Sequence, residues 1–162
     1  MPATIFLKFT PEIKGESSQK GYENQIEVTH YNFAVSQTGG FDFAKGGTRV
    51  QSQLQDLSVT FRMCSASPSL MQYCASGKHL TSALLTCIKA AGDTAAKYQT
   101  ITLTDVVVSG YSTGAPTSGD VPHDTVSLNF AKIDQEYFAT DNKGVATSSG
   151  KGSWNQQTGS TS

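Results

Sequence analysis

The sequence predicts a mainly β protein of one domain, built of antiparallel strands with one short docked α-helix. Three observations carry that expectation. Segments in which apolar and polar residues alternate recur along the 162 residues, each closed by glycine, proline or Ser/Thr clusters. Apolar residues make up 37% of the chain, enough for a core, and 162 residues fit one domain. Only 15% of residues are charged, whereas 38 of 162 are serine or threonine, so neutral hydroxyls carry most of the polar surface.

From the N-terminus, Thr4–Phe9 places Ile5, Leu7 and Phe9 on one side of a strand. In 26–35 the parity switches: Ile26 and Val28 share one, while Tyr31, Phe33 and Val35 share the other, which predicts a bulge or a strand covered on both faces. Leu57, Val59, Phe61 and Met63 alternate with Ser58, Thr60 and Arg62. Further strands are read at 82–89, 98–109 and 125–137, with Ile101, Leu103, Val107, Val126, Leu128 and Phe130 inward. One segment reads as helix: Ser67 as cap, Pro68 at the first position, Leu70, Met71 and Cys74 on a buried stripe, and Gly77 with Lys78 as the stop. At about ten residues it must dock on the sheet to persist. Residues 1–155 are taken as the domain. The tail 156–162 is expected to be disordered, with Trp154 either pinning it or finishing a last strand.

The same residues exclude several kinds of function. Twelve basic against thirteen acidic residues, with no basic cluster, argue against nucleic acid. No apolar run approaches the ~20 residues of a membrane span. Met1–Thr10 lacks the features of a secretory signal, so synthesis in the cytoplasm is expected. Cys64, Cys74 and Cys87 form neither a CxxC pair nor a ligand set with His30, His79 or His123, and are expected to be reduced thiols; no metal or other cofactor is expected. SSGKG at 148–152 fails as a phosphate loop, because Val145 stands where glycine is required and Gly152 replaces the magnesium-binding hydroxyl. There is no GxSxG elbow, and no catalytic residue is assigned. Residues alone therefore leave two readings open: a self-associating β domain, and a monomeric β-sandwich that binds carbohydrate or peptide through its loops.

Particular stretches decide between them. IFLKF at 5–9 with IKGES at 13–17, VSQTG at 35–39, QDLSVT at 55–60, SPSLMQYCASGKH at 67–79, ITLTDVVVS at 101–109 and VSLNFAKIDQEY at 126–137 occur in the order and near the spacing of the Hcp family. The chain thus resembles the haemolysin-coregulated tube proteins of bacterial type VI secretion systems. The resemblance implies a compact β-barrel of two antiparallel sheets with one short α-helix on its flank, a homohexameric ring, and rings stacked into a tube that a contractile sheath drives outward behind tip spike proteins. It also implies small effector proteins in the lumen, no enzymatic activity, and secretion through the apparatus without a signal peptide. Within that frame, Asn32 and its neighbour His30 are the expected lumen contacts. The loop of Thr38, Gly39, Gly40, Phe41, Asp42, Phe43, Lys45, Gly46 and Gly47 is the expected ring-stacking element, because two alternating phenylalanines among glycines are costly to leave in water. The alternative is that both phenylalanines fold back on their own barrel.

Overall fold

The computed structural model describes residues 3–38, 51–91 and 94–161. Among these residues nine strands and one helix succeed one another: β1 (Thr4–Thr10), β2 (Ile26–Asn32), β3 (Val35–Thr38), β4 (Gln51–Leu54), β5 (Leu57–Arg62), α1 (Ser67–Ser76), β6 (His79–Ala91), β7 (Thr94–Gly114), β8 (His123–Thr140) and β9 (Ala146–Asn155). Seven strands form one antiparallel sheet in the order β5-β2-β1-β6-β7-β8-β9, and β5 also pairs with β8. Six strands therefore close into a barrel, and the two expected sheets are parts of one continuous sheet. Closure removes the open edges that a sandwich would keep. β3 and β4 stand apart as a two-stranded ribbon.

β8 explains how a closed barrel carries an extra strand. Its first half, 123–128, pairs with β5, and its second half, 132–140, pairs with β9. Where that neighbour changes, the inward parity changes in three adjacent strands: Leu80 to Ala83 in β6, Leu103 to Val106 in β7, and Phe130 to Ile133 in β8, all buried. Asp105 sits at this level with φ 53°, a left-handed conformation that aspartate tolerates better than most residues. For this reason Val106 and Val108 face the core and the expected inward Val107 does not.

The core is one cluster, in which Leu57, Val59, Phe61, Leu70, Leu103, Val126 and Leu128 are wholly buried. β1 is covered on both faces. Leu7 and Phe9 point into the cluster, while Phe6 on the opposite parity stacks on Tyr22 at 4.7 Å between ring centroids. Met63, expected to continue the β5 stripe, lies beyond the strand and is 46% exposed.

The helix occupies the expected residues, with one change in its start. Ala66 takes the N-cap position, and Ser67 is instead buried, its Oγ accepting the Cys64 N–H at 3.1 Å. Gly77 ends the helix at φ 66°, its N–H donating to the Tyr73 carbonyl at 3.1 Å. Leu70 is buried and Tyr73 and Cys74 pack against the core. Met71 departs from the expectation, being 50% exposed. It lies one residue, about 100°, past Leu70, and the single face of α1 that meets the barrel is used by Leu70, Tyr73 and Cys74.

Candidate functional site

The outward face of β2, β5, β8 and β7 is built from short polar side chains. Register aligns Asn32 with Ser58, Ser127 and Gly110, and His30 with Thr60, Thr125 and Ser112. The Thr60 and Thr125 hydroxyls lie 3.3 Å apart, and Arg62 pairs with His123 at one end of the face. His30 and Asn32 are both exposed on this face. The parity switch that singled them out corresponds to a register shift between Val28 and His30, an irregularity of the bulge type. Tyr31 between them turns the other way, and its hydroxyl donates to Gln99 Oε1 at 2.8 Å. Such a wall offers neutral hydrogen-bonding groups without a nucleophile–base pair, which suits contact better than acid–base chemistry.

Two buried polar clusters lie beneath the strands. The Cys87 thiol is within hydrogen-bonding reach of the Tyr31 and Tyr98 hydroxyls. Burial pushes the Cys87 thiol up, and does the same to both tyrosines. The thiolate needed for nucleophilic attack or metal binding is thereby suppressed. Near α1, the wholly buried Asp124 accepts a hydrogen bond from the Tyr111 hydroxyl at 3.1 Å through Oδ2, while its Oδ1 has no partner. Cys64, Cys74 and Cys87 are all free thiols. Among the described residues, no group of three or more His, Cys, Asp and Glu side chains is placed to hold a metal ion.

The third feature left no signal in the sequence. The β3–β4 ribbon is tied at its base by Asp56, whose Oδ2 accepts the Ser109 hydroxyl at 2.5 Å and whose Oδ1 accepts Asn129 Nδ2 at 2.9 Å. Gln55 N–H donates to the Ala34 carbonyl at 3.0 Å. Between this ribbon and the β8–β9 hairpin lies a hollow of about 700 Å3, walled by Phe33, Val35, Leu54, Ile133 and Trp154 and floored at Gly152. A second hollow of about 380 Å3, lined by Tyr98, Tyr137 and Gly150, shares Gln135 and Gly152 with it. Trp154 faces Ile133 across the ladder and packs against the core one residue before the last strand ends at Asn155. A C-terminal turn is formed by residues 156–161, expected to be a disordered tail. In it Asn155 N–H donates to the Ser160 carbonyl at 2.7 Å and Gln156 Nε2 to the Phe130 carbonyl at 2.9 Å.

Of the expected stacking loop, Thr38 ends β3. Gly39, Gly40, Phe41, Asp42, Phe43, Lys45, Gly46 and Gly47 lie outside the described residues.

With this architecture in view, the comparisons with known proteins agree with one another. Residues 6–137 match the family described as "Type VI secretion system effector, Hcp". The protein Hcp1 of Pseudomonas aeruginosa is 37% identical over 137 residues, covering 85% of this chain and 84% of that protein. The chain belongs to the Hcp family. It is also similar to the crystal structure of Hcp1 from Salmonella typhimurium, with TM-score 0.76 and 29% identity over 98% of both chains. A structure described as a type six secretion system protein, 23% identical, shares the fold at TM-score 0.87 over 98% of this chain and 99% of that one. Hcp proteins are structural, secreted components of type VI secretion rather than enzymes. Among the described residues of this Hcp chain, no helix is long and apolar enough to cross a membrane.

Proposed function

We propose that this Hcp chain is the subunit of the expelled inner tube, assembling into hexameric rings that stack and carry small effector proteins in the lumen. The observation that carries the reading is the family match over residues 6–137, on a chain that aligns over nearly its whole length with type VI secretion structures. Two features support it. A ring needs two different lateral surfaces on each copy, and the charge-poor outer faces can meet without like-charge repulsion. The face bearing His30 and Asn32 is exposed, neutral over most of its area and free of apolar side chains in its aligned rows, as suits a wall along which unrelated cargo moves. That face is assigned to the lumen. The segment joining β3 to β4, with Phe41 and Phe43, is assigned to contact between stacked rings. The contractile sheath and tip spike are the further partners, and export proceeds through that apparatus after synthesis in the cytoplasm.

The test is the size and shape of the purified protein. Light scattering is expected to give a mass near six times 17.2 kDa, and electron micrographs to show rings and tubes. Serine at both Phe41 and Phe43 is expected to leave rings and remove tubes. A monomer at high concentration overturns the ring reading; tubes of normal length from the double variant overturn the stacking assignment.

A further inference from the structure

We propose that the cleft between the β1–β2 loop, β2 and the end of β5 binds a short peptide with both termini free, its ammonium held between Glu16 and Glu27 and its carboxylate by Arg62. The inference goes beyond the ring reading and does not depend on it.

The cleft encloses about 430 Å3, inside the usual range of small-ligand sites, about 300–1,000 Å3. The IKGES stretch builds one wall. Gly15, bare of a side chain, lets the loop lie against the Gln25 carbonyl, and its N–H donates to the Asn24 carbonyl at 2.7 Å. Glu16 follows and is already positioned. Its Oε1 accepts the Ser65 N–H at 3.2 Å, and the Ser65 hydroxyl donates to the Lys14 carbonyl at 3.0 Å. The other wall is the start of β2 beside the end of β5. Val28 pairs with Phe61, so the same register sets Glu27 next to Arg62 on the neighbouring strand.

These opposite charges do not close on one another. Among the described residues the one ion pair is Lys132 with Asp134, and neither Glu27 nor Arg62 makes a side-chain hydrogen bond. Two carboxylates and a guanidinium therefore line one cleft without neutralising each other. Their signs select the ligand. A simple anion meets two carboxylates and a simple cation meets the guanidinium, whereas a zwitterion satisfies all three. A metal ion is not accommodated, because among the described residues no three His, Cys, Asp or Glu side chains are placed to hold one.

Two hydroxyls in the lining say which zwitterion. Ser17 Oγ accepts the Gln19 N–H at 3.2 Å and keeps its own proton to donate, while Thr29 Oγ1 donates to the Thr60 carbonyl at 2.9 Å and keeps lone pairs to accept. One free donor and one free acceptor match the C=O and N–H of a peptide bond, which a single amino acid lacks. The rest of the lining carries no charge. Met63 is nearly half exposed, and burial pushes the Cys64 thiol up, so it stays protonated at neutral pH. An aliphatic side chain laid on Met63 removes that apolar surface from water.

Methionine supplies the reporter. The chain has three, and Met71 on α1 is an exposed control outside the cleft. In the full chain carrying isotope-labelled methionine methyl groups, titration with the dipeptide leucylglycine is expected to shift the Met63 signal saturably and to leave that of Met71 in place. Arg62→Gln and Glu27→Gln alter exposed side chains without partners among the described residues, so each is expected to keep the wild-type circular dichroism and melting temperature. Each is expected to weaken binding about tenfold or more, as loss of a hydrogen bond between charged groups does. C-amidated leucylglycine is expected to bind wild type as weakly as the free dipeptide binds Arg62→Gln, and the N-acetylated form as weakly as the free dipeptide binds Glu27→Gln. Leucine alone is expected to bind more weakly than the dipeptide. Absence of a saturable shift at Met63, or equal binding of the free, amidated and acetylated dipeptides, overturns the proposal. Either result leaves the ring reading standing, since that is read from the mass of the particle.

Discussion

At the scale of single residues, burial separates neighbours that look alike in the sequence. Leu70 and Met71 are adjacent apolar residues on α1, but Leu70 is wholly buried and Met71 is half in water. Leu70→Ala is expected to cost about 2–5 kcal/mol through lost transfer energy and a residual cavity. Met71→Ala is expected to change the protomer by less than about 0.5 kcal/mol, as exposed positions usually do. Chemical denaturation of both variants checks the pair, and equal losses would contradict the placement of the helix. Cys87 gives a pH prediction. Burial raises its folded pKa above the ordinary thiol value of 9.0, and burial raises Tyr31 and Tyr98 above 10.0 in the same way. The folded state then holds protons that the unfolded chain releases. Their contribution to stability is complete below pH 9.0 and is lost as pH rises through the folded values. Melting temperature is expected to fall above pH 9.0, and to fall less steeply in Cys87→Ala. Parallel pH profiles for the two proteins would remove Cys87 from the effect.

At the scale of elements, the β3–β4 ribbon is too short to hold its own angle. A two-stranded ribbon of four-residue strands is marginal by itself. Asp56 compensates by gripping Ser109 at the end of the barrel portion of β7 and Asn129 on β8. Asp56→Ala is expected to cost about 1 kcal/mol, the usual net value of such hydrogen bonds, and to speed amide exchange in 35–38 and 51–54 while leaving β6 unchanged. Uniform loosening, or none, would show that the ribbon is held elsewhere. Gly15 is a second local constraint. A Cβ there would run into the Gln25 carbonyl, which accounts for glycine in the IKGES stretch that carried part of the family resemblance. The helix was legible because capping chemistry is local: Pro68 and Gly77 mark its ends by their own backbone preferences. β9 was not legible, because ATSSGKGSWN has no alternating apolar set. It is a strand because the second half of β8 extends past the barrel and presents a free ladder to it.

For the whole molecule, low charge is the property with the widest consequence. With 15% charged residues and net charge −1, association surfaces depend little on ion pairs. One salt bridge, Lys132 to Asp134 at 3.8 Å, is found among the described residues. The assembled mass is accordingly expected to hold between about 0.1 M and 1 M salt, a range over which the screening length falls from about 10 Å to 3 Å. Dissociation within that range would place unscreened charge pairs at the contacts. The sequence by itself determined the strand-rich class, the helix, the bulge in β2 and the family, since each depends on local periodicity, backbone preference or a motif in order. Tertiary structure alone decided that the barrel closes through β5 and β8, that Val106 and not Val107 faces inward, that Met71 is turned out, and that Trp154, Gly152 and Val35 border one hollow. Those outcomes depend on which strands become neighbours across tens of residues of chain, and pairing between distant strands leaves no mark in the order of residues within either one.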